Sequence, residues 1–86
     1  MPPTLPTWFK QRQGKAEPAG EHVLRLTAPI LPESFIGIRP SGDGRWSAFL
    51  RMTADGADVA ATEARFTTPN DAWEAAFELH RTTLVV

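Results

Sequence analysis

Hydrophobic and polar positions alternate through the middle of the chain, then switch to a helical period near its end. Residues 22–28, HVLRLTA, set Leu24 and Leu26 on one side and Val23, Arg25 and Thr27 on the other. That two-residue period predicts a strand with one buried face. Pro29 and Pro32 bracket two residues and are expected to stop it. Residues 34–40, SFIGIRP, set Ile36 and Ile38 against Phe35, Gly37 and Arg39. Residues 45–52, RWSAFLRM, set Trp46, Ala48, Leu50 and Met52 against Arg45, Ser47, Phe49 and Arg51. Residues 59–66, VAATEARF, set Ala60, Thr62, Ala64 and Phe66 against Glu63 and Arg65. The turns between them, SGDG and TADGAD, carry glycine where a hairpin needs positive φ. The last three segments therefore predict an antiparallel meander.

The period changes at TTPNDAWEAAFELHR, residues 67–81. Thr68 suits an N-cap, Pro69 the first helical position, and Asp71 the position three beyond the cap. A helical projection groups Ala72, Trp73, Ala75, Ala76, Phe77 and Leu79 on one arc and Asn70, Asp71, Glu74, Glu78 and Arg81 on the other. Acids early and Arg81 late agree with the helix dipole. Thr82 and Thr83 are poor helix residues, so TLVV is expected to leave the helix as a short strand or a packed tail. The fold expected is α+β: an antiparallel meander of three or four strands with one C-terminal helix packed on one face. The helix would lay Trp73, Ala76 and Phe77 on the row made by Ile36, Ile38, Trp46, Leu50 and Phe66.

The first 21 residues fit neither period. Pro2, Pro3, Pro6 and Pro18 with Gly14 and Gly20 predict an irregular arm ahead of one domain at 22–86. Trp8 and Phe9 are the exception, because adjacent large aromatics dock on something. The favoured site is the domain's own sheet; the alternative is a plug into a partner.

Composition narrows the class. Eighty-six residues make one domain at most. With no cysteine there is no disulfide framework and no thiolate metal site. The opening MPPTLPTWFK lacks the basic and apolar runs of a secretory leader, and no apolar run is long enough to cross a bilayer. A cytoplasmic protein without membrane contact is expected. The formal net charge of −1 provides no global field for nucleic acid. Lys10, Arg12 and Lys15 make the head basic, whereas Asp55, Asp58, Glu63, Asp71, Glu74 and Glu78 make the tail acidic. That asymmetry suits a solvated surface, self-association or a basic partner.

The run from Phe35 to Ala72, containing GRWSAFLRMTADGADVAATEARFTTPNDA, resembles small bacterial β-β-β-α domains of unknown function. It is also similar in outline to antitoxin domains of the HicB type. The resemblance covers about half the chain and rests on turn and capping chemistry that many folds share. It implies the strand-and-helix order given above and transfers no functional residue. The aromatic arm and the strand at 22–28 depart from it.

No catalytic or metal-binding constellation emerges, and no cofactor is expected. Ser34, Ser41 and Ser47 lack a nucleophile elbow, and His22 and His80 are the only histidines. Glu78 and His80 stand two apart on a helix and diverge, which makes no chelate. His80 falls in the apolar arc, where a buried imidazole is expected to hydrogen-bond a neighbour. The helix carboxylates lie on the polar arc, where a solvated acid keeps a low pKa.

The sheet face away from the helix carries the sharper idea. Phe35, Arg39, Arg45, Phe49, Arg51 and Arg65 are expected there. Arginines among phenylalanines suit a dimer or protein partner, with the arginine stems covering apolar area. They also suit phosphates and stacked bases, a reading that the net charge places behind the others. A third possibility is that the N-terminal arm or the strand at 22–28 covers the face.

Overall fold

The alternating segments do pair as a meander, and the chain adds a strand in front of it. A computed structural model describes residues 5–29 and 31–84. The elements are α1 (Thr7–Gln11), β1 (Lys15–Gly20), β2 (Val23–Ala28), β3 (Leu31–Pro40), β4 (Trp46–Arg51), β5 (Ala60–Ala61) and α2 (Pro69–Leu84). The strands form one five-stranded antiparallel sheet in chain order, and α2 packs on one face of it against β3 and β4.

The arm is not irregular where it is described. Pro6 stands ahead of α1 and its carbonyl accepts the N–H groups of Phe9 and Lys10, each at 3.1 Å. Lys15–Gly20 then pairs along β2 as an edge strand. An edge strand tolerates Pro18 because only one of its sides needs ladder donors. Pro2 and Pro3, also part of the expected arm, lie outside the described residues. His22, expected to open a strand, sits in the β1–β2 turn at φ 60°.

The strand expected over residues 59–66 contracts to Ala60–Ala61 and an isolated bridge from Phe66 to Trp46. Thr62 explains the break. Its hydroxyl, instead of a strand carbonyl, accepts the Ala48 N–H at 3.0 Å. The chain then loops out and returns where Phe66 and Trp46 exchange backbone bonds of 2.7 and 3.1 Å.

Helix α2 starts as its capping pattern predicts: the Asp71 N–H donates to the Thr68 hydroxyl at 3.2 Å. It runs further than its propensities suggest, through Thr82 and Thr83 to Leu84. The Thr82 hydroxyl bonds back to the Glu78 carbonyl at 3.0 Å, a local partner that lets a threonine stay helical. The final two residues of the expected TLVV tail lie outside the described residues.

The core lies between α2 and the sheet. Ala72, Trp73, Ala76 and Phe77 are buried against Leu24, Leu26, Ile36, Ile38, Ala48 and Leu50, with Trp46 and Phe66 at its margin. The small Ala76 and Ala48 let helix and sheet approach closely. Each large side chain buried there contributes about 1.5–3 kcal/mol. Phe9 joins this cluster from α1 and is only 1% exposed. Gly14 makes that possible, because a Cβ there would stand 2.5 Å from the Phe9 ring.

Candidate functional site

Strand parity places Val23 and Arg25 of β2, Phe35, Gly37 and Arg39 of β3, and Phe49 and Arg51 of β4 on the face away from α2. Pairing fixes how they meet. Phe35 stands across from Arg25 on one side and Arg51 on the other, and Gly37 stands across from Phe49. The missing side chain at Gly37 is what seats the Phe49 ring. A Cβ there would lie 2.3 Å from the ring's Cζ and 2.6 Å from the His22 carbonyl oxygen.

Arginines cover the ring. The guanidinium carbons of Arg39 and Arg51 lie 4.6 and 4.5 Å from the Phe49 centroid, the distance at which a cation is drawn to an aromatic face. Asp58, from the β4–β5 loop, ties the two together. Its carboxylate accepts from Arg51 Nε at 2.8 Å and lies 3.5 Å from Arg39 Nη1. Burial alone would raise the Asp58 carboxyl. The hydrogen bond from Arg51 and the charges of Arg39 and Arg51 outweigh it and hold the group below the ordinary carboxylate value.

A second ion cluster lies on the β1–β3 side, where Arg25 bridges Glu17 and Glu33. These two clusters set three arginines against three carboxylates. Phe49 is only 3% exposed and Phe35 7%, while about half of the Arg39 side chain remains in solvent. The face is a polar lattice over sealed aromatics.

Of the residues expected on this face, Phe35, Arg39, Phe49 and Arg51 come together. Arg45 does not join them. It is exposed at the β3–β4 turn, where its N–H donates to Asp43 and its carbonyl accepts from Ser41. Arg65 is a correction. The excursion after Thr62 takes it out of the sheet, and its guanidinium lies over Phe66 at 5.0 Å. It lines a groove of about 650 Å³ beside the polar side of α2, with Asp71, Glu74 and Glu78 on the opposite wall. Arg25, Glu17 and Glu33 were readable from strand parity once β1 is counted. Nothing in the pattern pointed to Asp58, because a turn residue has no fixed face.

The N-terminal aromatics do not reach this face. Trp8 and Phe9 dock on the helix side, at the C-terminal end of α2. The Trp8 ring stacks on His80 with centroids 6.0 Å apart, and Phe9 meets His80 edge-on at 5.8 Å and Phe77 at 5.6 Å. His80 is 2% exposed, and its Nδ1 lies 3.2 Å from the hydroxyl of the fully buried Ser34. Its Nε2 has no hydrogen-bond partner among the described residues. Burial pushes the imidazole below its ordinary pKa. Serine and imidazole thus meet, but under cover and, among the described residues, with no carboxylate bonded to the ring.

Among the described residues no cluster of histidine, cysteine and acidic side chains is placed to hold a metal ion, and no helix is long and apolar enough to cross a membrane. No family model, curated protein or solved structure matches the chain.

Proposed function

We propose that this chain is a non-catalytic self-associating module, and that its recognition face is the sheet surface opposite α2. The observation that carries this reading is the stack of Arg39 and Arg51 on Phe49, cross-tied by Asp58. Holding a long side chain in one rotamer costs entropy when it binds; a guanidinium already fixed on a ring and a carboxylate has lost that freedom beforehand. Arginine and aromatic residues are the types that dominate the energy of protein interfaces. A lattice carrying both charges in equal number can also complement a second copy of itself about a two-fold axis.

The nucleic-acid reading fits less well. Phosphate binding draws on free cations, and these guanidiniums are already opposed by carboxylates. Base stacking needs an open ring, and Phe49 and Phe35 are sealed. The one serine–imidazole contact described here, Ser34 with His80, is buried, which favours a structural role for it.

Sedimentation across a wide concentration range tests the proposal. Wild type is expected to gain mass with concentration, and Arg39→Glu to remain monomeric while keeping its circular dichroism spectrum. A wild type that stays monomeric at every accessible concentration, or an Arg39→Glu variant that associates equally well, overturns it. Salt-sensitive binding of wild type to DNA or RNA, lost in Arg39→Glu with mass unchanged, would favour the nucleic-acid reading instead.

A further inference from the structure

The sealed imidazole at the end of α2 stands apart from the interaction face and has a different consequence. Two other elements cover His80: α1 contributes Trp8 and Phe9, and β3 contributes Ser34. Among the described residues its one hydrogen-bond partner is the Ser34 hydroxyl. A neutral imidazole carries one N–H. Placing it on Nδ1, donating to Ser34, leaves only a bare lone pair at Nε2, and a buried unpaired N–H is rarer than an under-used acceptor. Protonation then puts a second N–H, and a full charge, where no acceptor lies.

Among the described residues no charged group offsets that charge: burial alone acts on the imidazole. Lys10 of α1, Glu33 of β3, and Glu78 and Arg81 of α2 are the ionisable residues closest in sequence to the packed positions. All are exposed. Glu33 is tied to Arg25, and Glu78 to Arg81. The one cheap route to a charged His80 is to uncover it. Its two aromatic partners, Trp8 and Phe9, sit on a helix of five residues that meets α2 through those rings.

We propose that His80 is a pH latch, whose protonation releases α1 from α2 and the sheet. In the docked state the ring is neutral; in the released state it meets water and takes up one proton. Release is therefore favoured as pH falls below the ordinary histidine value of about 6.5, by up to about tenfold per pH unit. The gain stops once the docked form itself titrates. Release frees Trp8 and Phe9 and uncovers the part of the core beside Phe77 that Phe9 occupies.

Backbone amide exchange, measured by NMR on the full chain and corrected for intrinsic rates, reads this directly. The Arg12 and Gly14 N–H groups report on α1, because they bond to the Trp8 and Phe9 carbonyls at 3.2 and 3.0 Å. The Ile38 and Trp46 N–H groups, bonded to His22 and Phe66 at 3.0 and 2.7 Å, report on the sheet. Below about pH 6.5 the opening constant at Arg12 and Gly14 is expected to rise up to about tenfold per unit while Ile38 and Trp46 stay protected. His80→Gln, which cannot titrate and can still bond Ser34, is expected to abolish the slope; His80→Phe serves if that variant folds poorly. The latch is overturned if wild-type α1 shows no pH slope, if α1 and the sheet open together, or if the slope survives in the variants.

Discussion

The two faces of the sheet solve one problem with different chemistry. On the α2 side, Ile36, Ile38 and Leu50 are covered by Trp73, Ala76 and Phe77, so apolar area meets apolar area. On the other side, Phe49 is covered by the guanidiniums of Arg39 and Arg51, whose side chains reach solvent. Exposure at the aromatic rings is nearly the same, 2% for Phe77 and 3% for Phe49. The difference lies in what each cover can do next. A helix packed by area is committed to its sheet. A lid of arginines, Arg39 half exposed and Arg51 a quarter exposed, keeps its charged ends within reach of water.

Three substitutions break or sharpen this contrast. Phe77→Ala removes a ring from the dry side, where neighbours relax only partly, and is expected to cost about 3–5 kcal/mol in urea unfolding. That is a large part of the total stability of a domain this size. A loss below about 1 kcal/mol would mean that α2 is not the main roof.

Gly37→Ala attacks the opposite side. The added methyl collides with both the Phe49 ring and the His22 carbonyl. Because the carbonyl is backbone and accepts the Ile38 N–H, relief requires the β2–β3 pairing to shift. About 1–3 kcal/mol of destabilisation is expected, in the range found for overpacked sites. An unchanged midpoint would show that Phe49 does not lie across β3.

Asp58→Asn is the smallest change. It unties Arg39 from Arg51 at the surface, and exposed pairs of this kind contribute at most about 1 kcal/mol, less in high salt. Its pH signature has a definite sign. The folded carboxyl titrates below its unfolded value of about 3.9, so its contribution is whole above that pH and fades as pH falls through the folded value. Comparing wild type and Asp58→Asn between about pH 6 and pH 2 should show their stabilities converging at the acid end. Divergence there would contradict the assigned ion pairs.

Much of the architecture was already legible. The alternating rows of β3 and β4, the turn at SGDG, the Thr68 cap and the apolar arc of α2 are local patterns with periods of 2 and 3.6 residues, and local sterics and burial suffice to read them. The sheet face opposite α2 was half legible: parity placed Phe35, Arg39, Phe49 and Arg51 on it, and failed for Arg65, where the Thr62 hydroxyl ended the strand early. β1 was hidden because Lys15–Gly20 contains a proline and little alternation; its pairing with β2, not its propensity, makes it a strand.

The sequence by itself determined that β3 and β4 pair, which side of each faces the helix, and where α2 begins, since those follow from neighbours a few residues apart. Only the tertiary structure decided that Asp58 would bind two arginines, that Phe49 would lie over Gly37, and that Ser34, Trp8 and His80 would meet. Contacts across such separations depend on the closed path of the whole chain, and no short window of residues contains that information.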